Sequence, residues 1–314
     1  MINEALKFYP FDNPKVELLR HNENMTYKIT DGGKPYVLRI HKPSDGFELD
    51  LLRLGKDKVA LILDEMELLK HLAEQGNMHV QKVKLNSGGE MVSLVGDENP
   101  VTVLEWIEGE TLEDMGITAE FSYKLGVMIG ELHNALENKT LKNRYRYDES
   151  LLSVMIDEVP KAREKGHFNN HHAKILTEIL SYIRDYLSAA SNRFMIIHTD
   201  LGKSNLIYSG DTIIPIDFSL SGHCIPEMDL ASAFAHFGDK TLRQQILSGY
   251  RSISKIGIES TGIEICYCLQ ILLFITIQHN KYASESWFQS KLNDWCEQYF
   301  SPLIAGNKIL DYGF

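Results

Sequence analysis

Near residue 105 the spacing of the apolar residues changes, and that change leaves few folds open to the chain. Before it, short strand-like runs are separated by glycine turns. YKIT-DGG-KPYVLRI near residue 30 and VQKVKL-NSGG-EMVSLV near residue 86 each predict an antiparallel hairpin. Between them, in VALILDEMELLKHLAEQG at 59–76, Ile62, Met66, Leu69 and Ala73 recur at helical spacing and Gly76 supplies a stop. After VTVLEWIEGETLEDMG helical patterns dominate, beginning with TAEFSYKLGVMIGELHNAL at 118–136. A boundary near 105–111 follows, and 314 residues are enough for two lobes with separate cores.

Charge and cysteine usage narrow the partners. The net charge is -11, with acidic and basic residues mixed along the whole length, so no basic stripe is present to neutralise a nucleic acid backbone. No nucleic acid polymer is expected as a partner. MINEALKFYPFDNPK has neither a basic segment nor a following apolar run, and CYCLQILLFITI, from Cys266 to Ile277, is too short to span a bilayer and carries Gln270. That stretch reads as a buried helix, and no membrane is expected. Cys224, Cys266, Cys268 and Cys296 fit neither a metal spacing nor a disulfide framework, which points to reduced thiols in a cytoplasm. The polar segment 138–195 contains EKGHFNNHH; His167, His171 and His172 have no acidic or Cys companion at ligand spacing and read as a solvated loop. Nothing in the sequence sets an oligomeric state.

Residues 196–218, IIHTDLGKSNLIYSGDTIIPIDF, place five polar groups among apolar ones. Leu206–Tyr208 and Thr212–Ile216 flank the turn Ser209-Gly210-Asp211, which predicts a hairpin. Strands folding back about Gly210 bring Asn205, just before the first, close to Asp217, just past the second. An amide oxygen and a carboxylate suit Mg²⁺, a hard ion that takes one or two carboxylates along with substrate phosphates. Asp200 is placed to take a proton from an attacking hydroxyl, and Lys203 to offer positive charge to a phosphoryl group. Base, metal clamp and cation together are what phosphoryl transfer requires.

These residues resemble a known family. His198-x-Asp200-Leu201-x-x-x-Asn205 matches the kinase catalytic loop, and Asp217-Phe218-Ser219 stands where protein kinases carry Asp-Phe-Gly. The run to Asp229-Leu230-Ala231, the helix LGVMIGELH ending at His133, and the hinge-like LEWIEGETL are similar to the aminoglycoside phosphotransferase and choline kinase branch. The similarity covers about residues 16–235. It implies an α+β, bilobal protein-kinase-like fold: a small antiparallel-sheet N-lobe (1–104), a hinge (105–110) and a mainly helical C-lobe (111–314) that carries the catalytic and acceptor-binding groups. It implies Asp200 as the catalytic base, Asn205 and Asp217 as metal ligands, and His198 as a brace. Where the family often has His two residues after the catalytic Asp, this chain has Gly202, and Lys203 lies one residue beyond the protein-kinase lysine.

The amino-terminal lobe fits the same pattern. Tyr36, Leu38 and Ile40 share one strand face and Val37 with Arg39 the other, so Arg39 stands where kinases place a phosphate-binding Lys. An Arg fork grips phosphate oxygens differently from a lysine. Glu65, bordered by Leu61, Ile62, Leu68, Leu69 and Leu72, points inward and needs a cation, for which Arg39 is the candidate; Glu67 faces outward. The loop HNENMT, 21–26, lies where a nucleotide-covering loop would sit and has no glycine; Glu23-Asn24 resembles the branch's glycine-poor loop, which makes Asn24 a nucleotide-site residue. Glu105 and Ile107 of the hinge complete the nucleotide side.

For the acceptor, Glu227 and Asp229 either orient the catalytic loop or line the acceptor site, with bracing favoured, and His133 reads as a packed core residue. Asp311 and the terminal carboxylate of Phe314 resemble the acidic tails with which some aminoglycoside kinases hold cationic sugars; a frayed terminus is the alternative. The expectation is transfer of the γ-phosphoryl group of ATP or GTP, with Mg²⁺, to a hydroxyl of a small polar molecule, aminoglycoside- or choline-like. A nucleotide-binding pseudokinase and a protein kinase are the competing readings.

Overall fold

Asp31-Gly32-Gly33 is a turn that glycine makes at little cost. Gly32 at φ 56° and Gly33 at φ 81° both lie in the left-handed region, and the chain reverses between Asp31 and Lys34 as a two-residue hairpin. The computed structural model describes residues 1–44, 50–76, 78–96, 98–113 and 115–313. They form two units. The first gathers Met1–Glu110, Leu141–Arg144 and Ile207–Ser219; the second gathers Thr111–Thr140, Tyr145–Leu206 and Leu220–Phe314.

The first unit opens with a short helix, α1 (Ile2–Ala5), and the strands β1 (Lys15–His21), β2 (Met25–Asp31) and β3 (Lys34–Ile40). Then come α2 (Asp50–Arg53), α3 (Lys58–Glu74), β4 (Val83–Lys84), β5 (Ser93–Val95) and β6 (Asn99–Glu105), and the chain leaves through β7 (Glu110–Thr111). The sheet is antiparallel, in the order β1-β2-β3-β6-β4, with β5 also on β6. One face buries Ile29, Leu38, Ile40, Val101 and Val103 with Tyr27 and Tyr36, as the alternation in β3 demands. The other face of β3 carries Arg39 to Glu65 of α3. Asp57 caps α3 by accepting the Ala60 N–H at 2.8 Å, and Gly76 at φ 72° lies just past its end.

The hairpin expected near residue 86 does not form. β4 and β5 each pair with β6, Val83 opposite Leu104 and Ser93 opposite Val101. The seven residues of β6 accommodate both short strands end to end. The linking loop closes on itself instead, with Asn86 Oδ1 accepting the N–H groups of Gly88 and Glu90, both at 2.9 Å.

The second unit begins with α4 (Ala119–Leu136), β8 (Tyr145–Arg146), α5 (Glu149–Glu164), α6 (Asn170–Ala189) and β9 (Met195–Ile197). The chain then contributes the hairpin β10 (Leu206–Ser209) and β11 (Thr212–Pro215), turning through Gly210 at φ 53° and Asp211 at φ 71°, as the turn residues predict. It continues as β12 (Gly222–Cys224), α7 (Glu227–His236), α8 (Lys240–Ile253), α9 (Ser260–Tyr282), α10 (Ser286–Trp295) and α11 (Ser301–Ile304). β12 runs parallel to β8 and antiparallel to β9.

α4 and α8 meet backbone to backbone. A Cβ at Gly126 would lie 1.9 Å from the Ile246 carbonyl oxygen, and one at Gly249 2.0 Å from that of Tyr123. α9 is the one helix among the described residues long and apolar enough to cross a membrane, and 67% of its apolar window is buried within the fold.

The tract EKGHFNNHH is not a solvated loop. Gly166 at φ 79° ends one helix, and Asn169 caps the next by accepting the His172 N–H at 2.7 Å. His172 is buried, and His167 Nδ1 meets His279 Nδ1 at 2.9 Å. The polar composition hid two helical faces, carried by Leu152, Met155 and Val159 and by Leu176, Ile179, Leu180 and Ile183. No group of three or more His, Cys, Asp or Glu that could hold a metal ion occurs among the described residues.

Candidate functional site

In the second unit β9 delivers the chain to His198 and then breaks, because Thr199 turns to φ 73°. The loop that follows hangs on buried polar groups. Asp229, fully buried on α7, accepts the N–H of His198 at 3.0 Å and of Thr199 at 2.6 Å, and pairs with His133 Nε2 at 3.1 Å. Burial pushes the Asp229 carboxyl up, but His133 and the His198 N–H outweigh it, so Asp229 is held below the ordinary carboxylate range. His133 is completed by the Tyr250 hydroxyl at 3.0 Å. Ser232 Oγ accepts the Leu201 N–H at 2.8 Å, and His198 Nδ1 accepts that of Asp200 at 3.3 Å.

Asp200 is thereby presented on a fixed loop, half-buried. Asn205 Nδ2 donates to its carboxylate at 2.8 Å and to its carbonyl at 3.1 Å. This turns the Asn205 amide so that its nitrogen serves Asp200. Lys203 stands half-buried with Nζ 5.6 Å from the Phe237 ring centroid. Gly202 packs against His236: a Cβ there would lie 3.2 Å from His236 Nε2 and 3.7 Å from Asp200 Oδ1.

In the first unit the charges gather around Arg39. Its Nη1 donates to Glu65 Oε1 at 3.1 Å and lies 3.5 Å from Asp217 Oδ1, both arginine and glutamate being almost wholly buried. The pair expected from the strand and helix patterns is formed. Burial opposes the Arg39 charge, but Asp217, Glu65 and Glu23 more than offset it and hold the guanidinium protonated beyond its usual range. Glu23 is pushed up to about 7, first by burial and then by the charges of Asp217 and Glu65. The Ser219 hydroxyl donates to it at 3.1 Å.

Asp217 itself sits at φ 64°, and Arg20 of β1 reaches it with a 2.6 Å ion pair. The next two residues are pinned by Arg144, whose Nη2 donates to the carbonyls of Phe218 at 2.8 Å and Ser219 at 2.6 Å while Nη1 holds Leu61 of α3 at 2.8 Å. Arg20 and Arg144 were not legible in the sequence, since no local pattern distinguishes them from ordinary surface arginines.

Asn24 is buried in the turn between β1 and β2, where its carbonyl accepts the Asn22 N–H at 3.3 Å. Glu105 pairs with Lys34 at 3.2 Å, and Ile107 is half-buried. Gly109, in the same stretch, approaches β10 so closely that a Cβ would lie 2.4 Å from the Tyr208 carbonyl oxygen. Glu227 is fully buried, paired with Arg193 and accepting the Glu259 N–H at 2.6 Å. Asp311 is exposed and pairs with Lys240 at 2.9 Å. The tail before it is docked, since Glu264 accepts the N–H groups of Ile309 and Leu310. Phe314 lies outside the described residues.

Comparison with known proteins now defines the class. Residues 15–259 match the phosphotransferase enzyme family, the aminoglycoside phosphotransferase type, and the chain belongs to that family; it is a phosphotransferase. Its fold is the kinase-like one, a small antiparallel-sheet lobe and a helical lobe. Among solved structures it is similar to a microcompartment-associated aminopropanol kinase, with TM-score 0.77 and 20% identity, covering 98% of each chain. It is also similar to an amicoumacin kinase solved with AMP-PNP, Ca²⁺ and Ami, with TM-score 0.74 and 18% identity, covering 99% of this chain and 94% of the other. A third is the GDP complex of aminoglycoside 2'-phosphotransferase-IIIa, with TM-score 0.62 and 15% identity, covering 96% and 98%. No curated protein sequence matches the chain.

Proposed function

We propose that the protein moves the γ-phosphoryl group of ATP or GTP onto a hydroxyl of a small polar molecule, with amino alcohols and aminoglycosides the first acceptors to test, and that it works in the cytoplasm. The observation that carries this reading is the fixed presentation of Asp200, whose carboxylate is oriented by Asn205 on a loop hung from buried Asp229. Asp200 takes the acceptor proton as the hydroxyl attacks. Asn205 and Asp217 offer the amide and carboxylate oxygens that suit Mg²⁺, which when bound would neutralise charge on the phosphates. Arg39, held by Glu65, is the proposed phosphate-binding residue, with Asn24, Glu105 and Ile107 on the nucleotide side. His198, Asp229 and Glu227 brace the second unit, and Lys203 supplies positive charge beside Asp200. Asp311 takes a cationic acceptor only by giving up Lys240.

Among the solved structures that share the fold, complexes with AMP-PNP, with GDP and with GDP and kanamycin support a nucleotide donor. A regulatory nucleotide-binding role is the second reading, favoured by the Arg20 ion pair on Asp217 and by the glycine-free loop 21–26. Coupled nucleotide turnover across a panel of amino alcohols, aminoglycosides, sugars and nucleosides separates the two. Acceptor-dependent turnover supports the enzyme, and nucleotide binding with every acceptor inert supports the regulator.

A further inference from the structure

We propose that Gln270 is a positioning residue for the Asp200 loop, clamping the peptide between Thr199 and Asp200; this rests on the assignment of Asp200 above. Gln270 interrupts CYCLQILLFITI, the most apolar run in the chain, where packing alone would ask for another leucine. A half-buried amide is retained at such a place when it has a partner that matters. Its Nε2 donates to the Thr199 carbonyl at 2.6 Å, across 71 residues of sequence.

Thr199 needs to be held. It is β-branched and sits at φ 73°, a conformation that persists only where the surroundings over-determine it. All its polar groups are taken: the N–H by Asp229 at 2.6 Å, the hydroxyl by the Leu220 carbonyl at 2.6 Å, and the carbonyl by Gln270. The first two bonds fix the near side of the residue. The Thr199 carbonyl and the Asp200 N–H are opposite ends of one planar peptide, and that plane sets where the Asp200 side chain departs. At the N–H end the bond to His198 Nδ1 is long, 3.3 Å. Gln270 therefore makes the short bond that stops this plane from turning.

Two variants and two readouts test the assignment. Gln270→Met keeps length and packing and removes the donor; Gln270→Glu donates an O–H only when protonated. With an acceptor in hand, Gln270→Met should lose about tenfold or more in kcat with nucleotide KM little changed, in keeping with the cost of a small misplacement of reacting groups. Gln270→Glu should match it at alkaline pH and recover relative to wild type as the pH falls. Amide hydrogen exchange at Thr199, Asp200 and Leu201 should quicken about tenfold in Gln270→Met while the rest of α9 keeps its protection. This second readout needs no acceptor, so it stands or falls separately from the proposed activity. Unchanged exchange at the loop would overturn the proposal. So would exchange that quickens equally along α9, or a Gln270→Glu profile parallel to wild type, since each leaves Gln270 a packing residue only.

Discussion

Arg39 and Glu65 show how far one residue pair can be read from pattern. Period two on β3 put Arg39 opposite the sheet core, and the 3.6 period on α3 put Glu65 on the apolar face, so each required the other. Removing the cation strands a buried carboxylate. Arg39→Ala should cost about 3–5 kcal/mol, read from the shift of the urea midpoint. The double variant Arg39→Met with Glu65→Leu should recover part of that loss; strictly additive losses would contradict the pairing. Arg20 and Arg144 escaped the sequence because their partners lie 197 and 74 residues away and neither sits in a periodic face. Gln270 was visible as an oddity, but its purpose needed Thr199 in space.

At the scale of elements, glycines and turns carried most of the legible fold. The Gly32-Gly33 and Gly210 turns are where the residues predict them, because positive φ leaves few alternatives. The pairing of β4 and β5 was not legible, since local alternation gives a strand its faces but not its neighbour. The helices of 138–195 were obscured for a related reason: their solvent faces dominate the composition. The glycines of α4 and α8 mark a contact that sequence shows only as small residues on a helix. Gly126→Ala should lower the melting temperature markedly, because its Cβ would fall on the Ile246 carbonyl, a backbone atom that must move rather than rotate. Exposed Gly116, with nothing within 4 Å of a Cβ, is the control expected to leave the melting temperature nearly unchanged on replacement by Ala.

Over the whole molecule, two buried histidines tie stability to pH. His279 is pushed down to about 4, first by burial and then by His167, with Lys165 adding to the effect and Glu158 opposing it. His41 is pushed down to about 3 by burial, then by Arg39 and Lys58. The unfolded chain protonates these rings near pH 6.5 and the folded chain declines the proton, so the unfolded state binds more protons between about 3 and 6.5. Stability should fall as the pH drops through that window. His279→Gln should flatten the decline of the urea midpoint between pH 6.5 and 4; an equal slope in both proteins would contradict it. The change of periodicity near residue 105 announced two kinds of architecture, yet it did not reveal that 141–144 and 207–219 return to the first unit. No local pattern records such a return, and Arg144 and Asp217 are both carried by it.

The central claim is that Asp200 is the base of a phosphoryl transfer to a hydroxyl, and its most direct test is nucleotide turnover by Asp200→Asn beside wild type with whichever acceptor is active. The exchange keeps the size of the side chain and removes the proton-accepting charge. The account predicts that acceptor-dependent turnover falls by about 10²–10⁴ while nucleotide binding is retained. Full acceptor-dependent turnover by Asp200→Asn would contradict it.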